Sequence, residues 1–287
     1  MISVAKRNRI KDKMFEYWGV VSTLLGIVLL VFFMSDIFML GITRIDEAFF
    51  SNAPSSLKPE TSGIYPALMG TLYVLVLTAA ISIPIGVGAG IYLEEYSNKN
   101  WLSSLLEINI SNLAGVPSII YGLLGLEIFV RVLGFGKSVL SGSLTLSLLV
   151  LPIVIVATRE AIKAVPSSIK QAAFALGATK WQTVWTQVLP SSIGGILTGV
   201  ILALSRAIGE TAPLIVVGAA AYIYDAPDSP LSEYTVIPMQ IYTWMPDARE
   251  SMKVNAAAGI IVLLAITLIM NGVAVYFRNK WQKKVKW

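Results

Sequence analysis

Apolar residues gather along this chain in six long runs, at roughly 18–42, 66–93, 113–134, 139–158, 191–222 and 256–277, with polar stretches between them. Each run supplies the ~20 residues that a helix needs to cross a hydrocarbon core. The pattern predicts an all-α integral membrane protein with about six transmembrane helices. The first run follows a basic stretch, residues 1–17, with Lys6, Arg7, Arg9, Lys11 and Lys13. It is longer than the ~7–15 apolar residues of a signal peptide, so it is expected to be a retained, peripheral helix.

Composition agrees with this pattern. The 287 residues are 55% hydrophobic and 14% charged, against about 25% charged in soluble domains. The excess apolar surface is more than one core needs and is expected to face lipid. Cysteine and histidine are both absent, which excludes disulfides, thiol nucleophiles, the usual zinc sites and imidazole catalysis. The net charge of +5 does not imply nucleic acid, because in a membrane protein the placement of basic residues matters more than their sum. Fifteen Lys and Arg fall in 1–17, 94–112, 159–190 and 278–287, and six fall in the alternate loops. The positive-inside rule then places both termini, including the tail 279–287, in the cytoplasm.

The spans differ in kind. Runs two to five contain Pro84, Pro117, Pro152 and Pro213, and runs one and six contain none. Proline frees a carbonyl that a neighbouring helix or a wet cavity must satisfy. Residues 100–112 have the spacing of a short interfacial helix. The outward loops 43–65 and 222–255 are long enough to meet a partner. Gly136-Lys137-Ser138 looks like the end of a P-loop, but Arg131 occupies the position of the motif's first glycine. It reads as a turn, and any ATPase must be another chain.

The loop 159–190 is the longest inward one. Ser167 after Pro166 is a plausible helix N-cap. The run to Gly177 is rich in small residues, and Trp181, Val184, Trp185 and Val188 lead to Leu189-Pro190. Two short helices of this kind form a knob that can enter a groove on another protein. Ala172, Ala173, Gly177, Leu189 and Pro190 stand at the spacing of the coupling loop of ABC-importer permeases, and the loop resembles it. Gln171 replaces that pattern's Glu and Gln187 its Ile. The resemblance implies a type I ABC importer permease fold over 66–278, with the loop docked on an ATP-hydrolysing subunit.

Arg206 and Glu210 lie inside run five, four residues apart and so on one helix face. A charge near the bilayer centre costs about 2.5–3.5 kcal/mol on insertion scales. A mutual salt bridge that orients the helix is one reading. Because desolvation largely cancels the attraction in a buried pair, a functional role is the other. A guanidinium fork suits a phosphate-like oxyanion, and Glu210 can hold the arginine when no anion is bound or accept a proton from a protonated anion. Ser118 and Tyr121, beside Pro117 in run three, are compatible with a pathway lining and equally with polar packing.

The stretches Ala114-Gly115-Val116-Pro117-Ser118-Ile119-Ile120-Tyr121-Gly122-Leu123 and Arg206-Ala207-Ile208-Gly209-Glu210-Thr211-Ala212-Pro213 resemble the phosphate-import permeases. The run 151–161 is similar to the PstA-type subunit rather than its PstC-type partner. This resemblance implies a transport subunit with no catalytic residue, no metal and no cofactor of its own, ATP and Mg being held by the ATPase. It also implies a heterodimer with a PstC-type permease, two ATPase subunits and an extracytoplasmic phosphate-binding protein in a bacterial or archaeal plasma membrane. Arg206, Glu210, Thr211, Ser118 and Tyr121 would then line the substrate pathway, and Gln171, Ala172, Ala173, Gly177, Leu189 and Pro190 would couple to the ATPase. An importer of another oxyanion, such as molybdate or sulfate, and a sensing subunit that carries no flux remain as alternatives.

Overall fold

The computed structural model describes residues 4–98 and 100–282. The tail lysines Lys283, Lys284 and Lys286 lie outside the described residues. Among the described residues the chain is helical, with no strand. Five helical stretches are long and apolar enough to cross a membrane, and a sixth is possible if one bent pair counts as a span.

Helix α1 (Val4–Gly41) extends through the basic N-terminal stretch and packs along the last long helix. Its apolar window is 6% buried, so nearly all of its surface is left for lipid or other chains. Helix α2 (Glu47–Ser51) follows a short 3₁₀ turn, and α3 (Tyr65–Ile91) continues into a π-helical turn at Tyr92–Tyr96. Helix α4 (Trp101–Leu113) starts at Asn100, whose side chain accepts from Ser103 N. Helix α5 (Ser118–Gly125) runs on through a π-helical stretch to Val132.

Helix α6 (Val139–Lys163) begins at Ser138, whose hydroxyl accepts from Ser141 N at 3.3 Å. The Gly-Lys-Ser segment is therefore a turn and helix cap. Helices α7 (Ser167–Ala175) and α8 (Lys180–Thr183) make up the loop region. A π-helical turn at Val184–Val188 joins α8 to α9 (Leu189–Gly209). Short helices α10 (Ala212–Val217) and α11 (Ile237–Trp244) precede α12 (Glu250–Gln282).

Helices α3 and α6 run parallel, laced by hydroxyls. Ser143 Oγ donates to Val74 O at 3.3 Å, Thr78 Oγ1 to Ser143 O at 3.3 Å and Ser147 Oγ to Thr78 O at 3.4 Å. Such bonds across membrane helices contribute about 0.6 kcal/mol each. Helix α9 runs antiparallel to α6 at close range: a Cβ on Gly199 would lie 2.1 Å from Ala157 Cβ, and one on Gly195 2.6 Å from Ala161 Cβ. On the far side of α9, Ser205 Oγ is bonded to Asn271 Oδ1 and Arg278 Nη1 donates to Thr198 Oγ1 at 3.4 Å, which makes α12 antiparallel to α9. These directions bring the start of α1 and the end of α12 to one face, together with α7 and α8.

On the opposite face the two long loops fold into a packed cap. Phe49, Ile64, Ile237, Trp244 and Met252 form one buried cluster. Arg44 is buried there and donates to Asn255 Oδ1 at 3.1 Å and Ser62 O at 2.9 Å.

One expected span is divided and another starts late, and proline explains both. Helix α4 ends at Leu113 and α9 ends at Gly209, each four residues before a proline, Pro117 and Pro213. A proline ring clashes with the carbonyl four residues earlier and has no N–H to offer it. The helix of the run 113–134 thus starts only at Ser118, bent 103° from α4, which takes the place of the short helix expected over 100–112. The run 191–222 becomes a long helix stretch, Lys180–Gly209, a break at Glu210 and Thr211, and the short α10. Helices α3 and α6 carry Pro84 and Pro152 inside without a break.

Candidate functional site

The end of α9 lies deep in the bundle. Since Gly199 is level with Ala157, the antiparallel geometry sets Arg206 level with Val150, near the middle of α6. Gly125 approaches Thr145 in the same way, which sets Tyr121 level with Leu149. Tyr121, Leu149, Val150, Ala203 and Ala207 accordingly pack in one cluster. Helix α6 is about 37 Å long at 1.5 Å per residue, so both breaks fall roughly at mid-membrane. Irregular backbone at that depth persists only where protein buries it or where it lines a wet cavity.

Arg206 sits in the last turn of α9, where the helix dipole favours a cation. Its Nε donates to Glu210 Oε1 at 3.1 Å. The side chains are 41% and 18% exposed respectively. The bond uses Nε, so the terminal nitrogens of the guanidinium are without a partner among the described residues. That edge can offer two parallel N–H donors to a tetrahedral oxyanion. Glu210 is in extended conformation and Thr211 stands before the first turn of α10. Helix α10 is pressed on α5: a Cβ on Gly122 would meet Pro213 Cα at 2.8 Å.

The five pathway candidates thus converge on one depth, but not in one role. Tyr121 is 7% exposed and its hydroxyl donates to Leu113 O at 2.7 Å. It is a second donor to a carbonyl at the end of α4 that also accepts from Val116 N at 3.1 Å, which is a structural task. Ser118 opens the first turn of α5, half-buried, one turn from Tyr121.

The loop candidates form a second group. Helix α7 ends in a Schellman turn: Ala178 N bonds to Ala173 O at 3.1 Å and Gly177 N to Phe174 O at 2.9 Å. Gly177 has φ +83°, a conformation that any Cβ strains. Helix α8 starts with a capping box between Thr179 and Gln182. Gln171, Ala172 and Gly177 are exposed and Ala173 is half-buried. Around them Phe174, Leu176, Trp181 and Trp185 are also exposed, Leu176 at 90%. The two indoles lie 5.1 Å apart. An exposed apolar patch of this kind marks an interaction surface. Leu189 and Pro190 lie beyond it, in the first turn of α9.

Sequence reasoning passed over a set of ion pairs beside this loop. Arg159 Nη2 reaches Glu107 Oε1 at 2.7 Å and Glu94 Oε2 at 3.6 Å, and Lys170 Nζ pairs with Glu95 Oε1. The signal available was two adjacent carboxylates closing an apolar run, with a basic residue ending another.

Residues 82–283 match the family model for the binding-protein-dependent transport system inner membrane component. The chain belongs to this family. It is 33% identical to the phosphate transport system permease protein PstA of Mycobacterium leprae, over 96% of this chain and 91% of that protein. With the PstA protein of Yersinia pestis it shares 30% identity over 95% and 92% of the two chains. The probable ABC transporter permease YqgI of Bacillus subtilis is 35% identical over 72% of this chain and 70% of its own. Among solved structures, the fold is similar to a chain of a bacterial alginate ABC transporter bound to its periplasmic protein. The TM-score is 0.67 at 14% identity, over 93% of this permease and 94% of that chain. It is also similar to a chain of the MetNI methionine ABC transporter in an inward-facing conformation. There the TM-score is 0.60 at 16% identity, over 74% and 93% of the two chains. The permease is a multi-pass membrane protein with the type I importer fold, and its role is transport rather than catalysis.

Proposed function

We propose that this chain is a PstA-type membrane subunit of an ATP-driven phosphate importer and forms half of the translocation pathway. The observation that carries the reading is the end of α9. A membrane helix stops at mid-depth, and its last turn presents a half-exposed arginine paired with a carboxylate across a break in the backbone. An isolated structural salt bridge does not need the helix to end there. The break leaves the arginine an open side, toward which terminal nitrogens without a partner among the described residues can hold an anion. Arg206 makes the transient contact with phosphate, and Glu210 holds the guanidinium between passages. Thr211 and Ser118 contribute hydroxyls at the same level, and Tyr121 keeps the second break in shape.

The rest of the assembly follows from the same reading. A PstC-type permease covers the open side of the pathway. Two ATPase subunits hold the ATP and Mg, and one of them receives the knob built from Gln171, Ala172, Ala173 and Gly177 with its exposed aromatic rim. Leu189 and Pro190 join that knob to α9, so that movement of the knob is delivered to the helix that carries Arg206. A phosphate-binding protein docks on the opposite face, against the cap formed by the two outward loops. Both termini lie in the cytoplasm, on the face that carries the basic excess.

The test is uptake by vesicles that hold the full complex and its binding protein. Labelled phosphate should accumulate with ATP inside, unlabelled phosphate should compete, and sulfate and molybdate should not. Accumulation that sulfate or molybdate suppresses as well as phosphate does would assign the permease to another oxyanion.

A further inference from the structure

The π-helical turn Tyr92–Tyr96 at the end of α3 has an unusual set of contacts. Its bond from Ser97 N to Tyr92 O, at 2.9 Å, closes the wide turn. Such turns are frequent at functional positions. Three consecutive residues on it each hold a different element. Glu94 faces Arg159 of α6, Glu95 pairs with Lys170 of α7, and the ring of Tyr96 lies 5.1 Å beneath Lys180 Nζ of α8. Glu95 is 9% exposed and Lys170 23% exposed, so this pair is well shielded from water and screened less by salt than a surface pair. The exposed knob is thus held to the bundle at both of its helices by one turn of α3.

The hub is not fully satisfied as it stands. Arg159 Nη2 is shared between Glu107 of α4 at 2.7 Å and Glu94 at 3.6 Å, while Arg159 Nε is buried with no partner among the described residues. Tyr96 Oη is buried and unpartnered in the same way. A buried donor left unpaired is costly, so a small shift of α3 against α4 that exchanges carboxylates at Arg159 has a second arrangement to reach. That is the property a mechanical relay needs: two discrete arrangements of one packed network.

Resting on the importer reading above, we propose that Glu94, Glu95 and Tyr96 form a clasp that carries movement of α7 and α8 into α3 and α6. They are positioning residues for coupling and touch neither the ATPase nor the transported anion. The clasp acts after docking, so its loss should leave the ATPase bound and working but deaf to events on the opposite face.

The experiment uses the reconstituted complex with its ATPase and phosphate-loaded binding protein, and reads the factor by which that protein stimulates ATP hydrolysis. Glu95→Gln and Lys170→Gln should each keep ATPase binding and basal hydrolysis, and lower the stimulation factor roughly two- to thirtyfold, the range of mutational effects on coupling. The exchange Glu95→Lys with Lys170→Glu should recover much of it. Lys180→Ala removes an exposed side chain, threatens no fold, and should lower stimulation in the same direction. Unchanged stimulation in all three single variants would overturn the clasp. So would loss of ATPase binding in Glu95→Gln, which would make the pair part of docking. If the wild-type complex responds to its binding protein but moves no phosphate, the substrate reading fails while the clasp is still scored on stimulation.

Discussion

Placing alanine at Gly122 tests the contact that positions the broken span. A Cβ there would lie 2.8 Å from Pro213 Cα, 3.0 Å from Pro213 O and 3.0 Å from Val216 Cβ. Ordinary carbon contacts need about 3.5–4.0 Å, so α10 must retreat by roughly 0.5–1 Å. Two of the three atoms are backbone and cannot rotate aside. Overpacking of this kind costs about 1–3 kcal/mol. At roughly 2–4 °C per kcal/mol for a chain of this order, the unfolding midpoint of the purified permease in detergent should fall by several degrees. Gly272→Ala is the control: it also lies within a helix, α12, with nothing within 4 Å of its Cβ. It should cost nothing and can gain up to ~1 kcal/mol from helix propensity. The retreat of α10 also draws Thr211 and Glu210 from Arg206, so uptake should drop in Gly122→Ala more than stability alone explains. Equal midpoints for the two variants would refute the packing argument.

Trp181→Ala and Trp185→Ala should leave the permease's own stability almost unchanged, since both rings are exposed. Each should weaken ATPase capture by ~30-fold or more if the indoles anchor the interface, tryptophan truncations at hot spots costing ≥ 2 kcal/mol; pull-down with titrated ATPase measures it. Gly177→Ala forces a Cβ into a left-handed position and should cost ~1–2 kcal/mol, seen as faster hydrogen exchange at residues 176–178. In the cap formed by the two long loops, hydrogen bonds from the Arg249 guanidinium and backbone hold Asp247 down to about 2. The folded value lies below the unfolded one, so the pair's contribution is complete above the usual carboxylate range and is lost as pH falls through about 2. A carboxyl titration should therefore have its midpoint near 2 in the wild type and move toward ~3.9 in Arg249→Ala.

The sequence carried the membrane class, which length and apolar content decide, and the four prolines inside the spans. It did not carry which of them break a helix: α4 and α9 stop four residues before Pro117 and Pro213, while α3 and α6 run through Pro84 and Pro152. It did not carry the depth of the α9 break. That depth depends on which residue of α9 faces which residue of α6, and Gly199 against Ala157 emerges only from packing. The same limit applies to Tyr121, a candidate for the pathway by composition. Its hydroxyl is committed to Leu113 O, a partner eight residues away across a bend of 103°. Glu94 and Glu95 were legible only as polar residues at the end of a span. Their partners are about 65 and 75 positions later in the chain, and no periodicity encodes such pairs. The two long loops showed in sequence only their polar and turn residues and a length that could meet a partner; that Arg44, Asn255 and Trp244 pack inside a cap emerges only in the fold.

The most direct test of the transport reading is the rate of ATP-driven phosphate uptake by vesicles holding the complex with Arg206→Ala, matched for assembly with the ATPase. A guanidinium that contacts the anion contributes a charge-assisted hydrogen bond of about 1.5–3 kcal/mol, so uptake should fall roughly ten- to a hundredfold or more while basal ATP hydrolysis persists. Uptake at the wild-type rate would contradict the assignment of the mid-membrane break as the phosphate pathway.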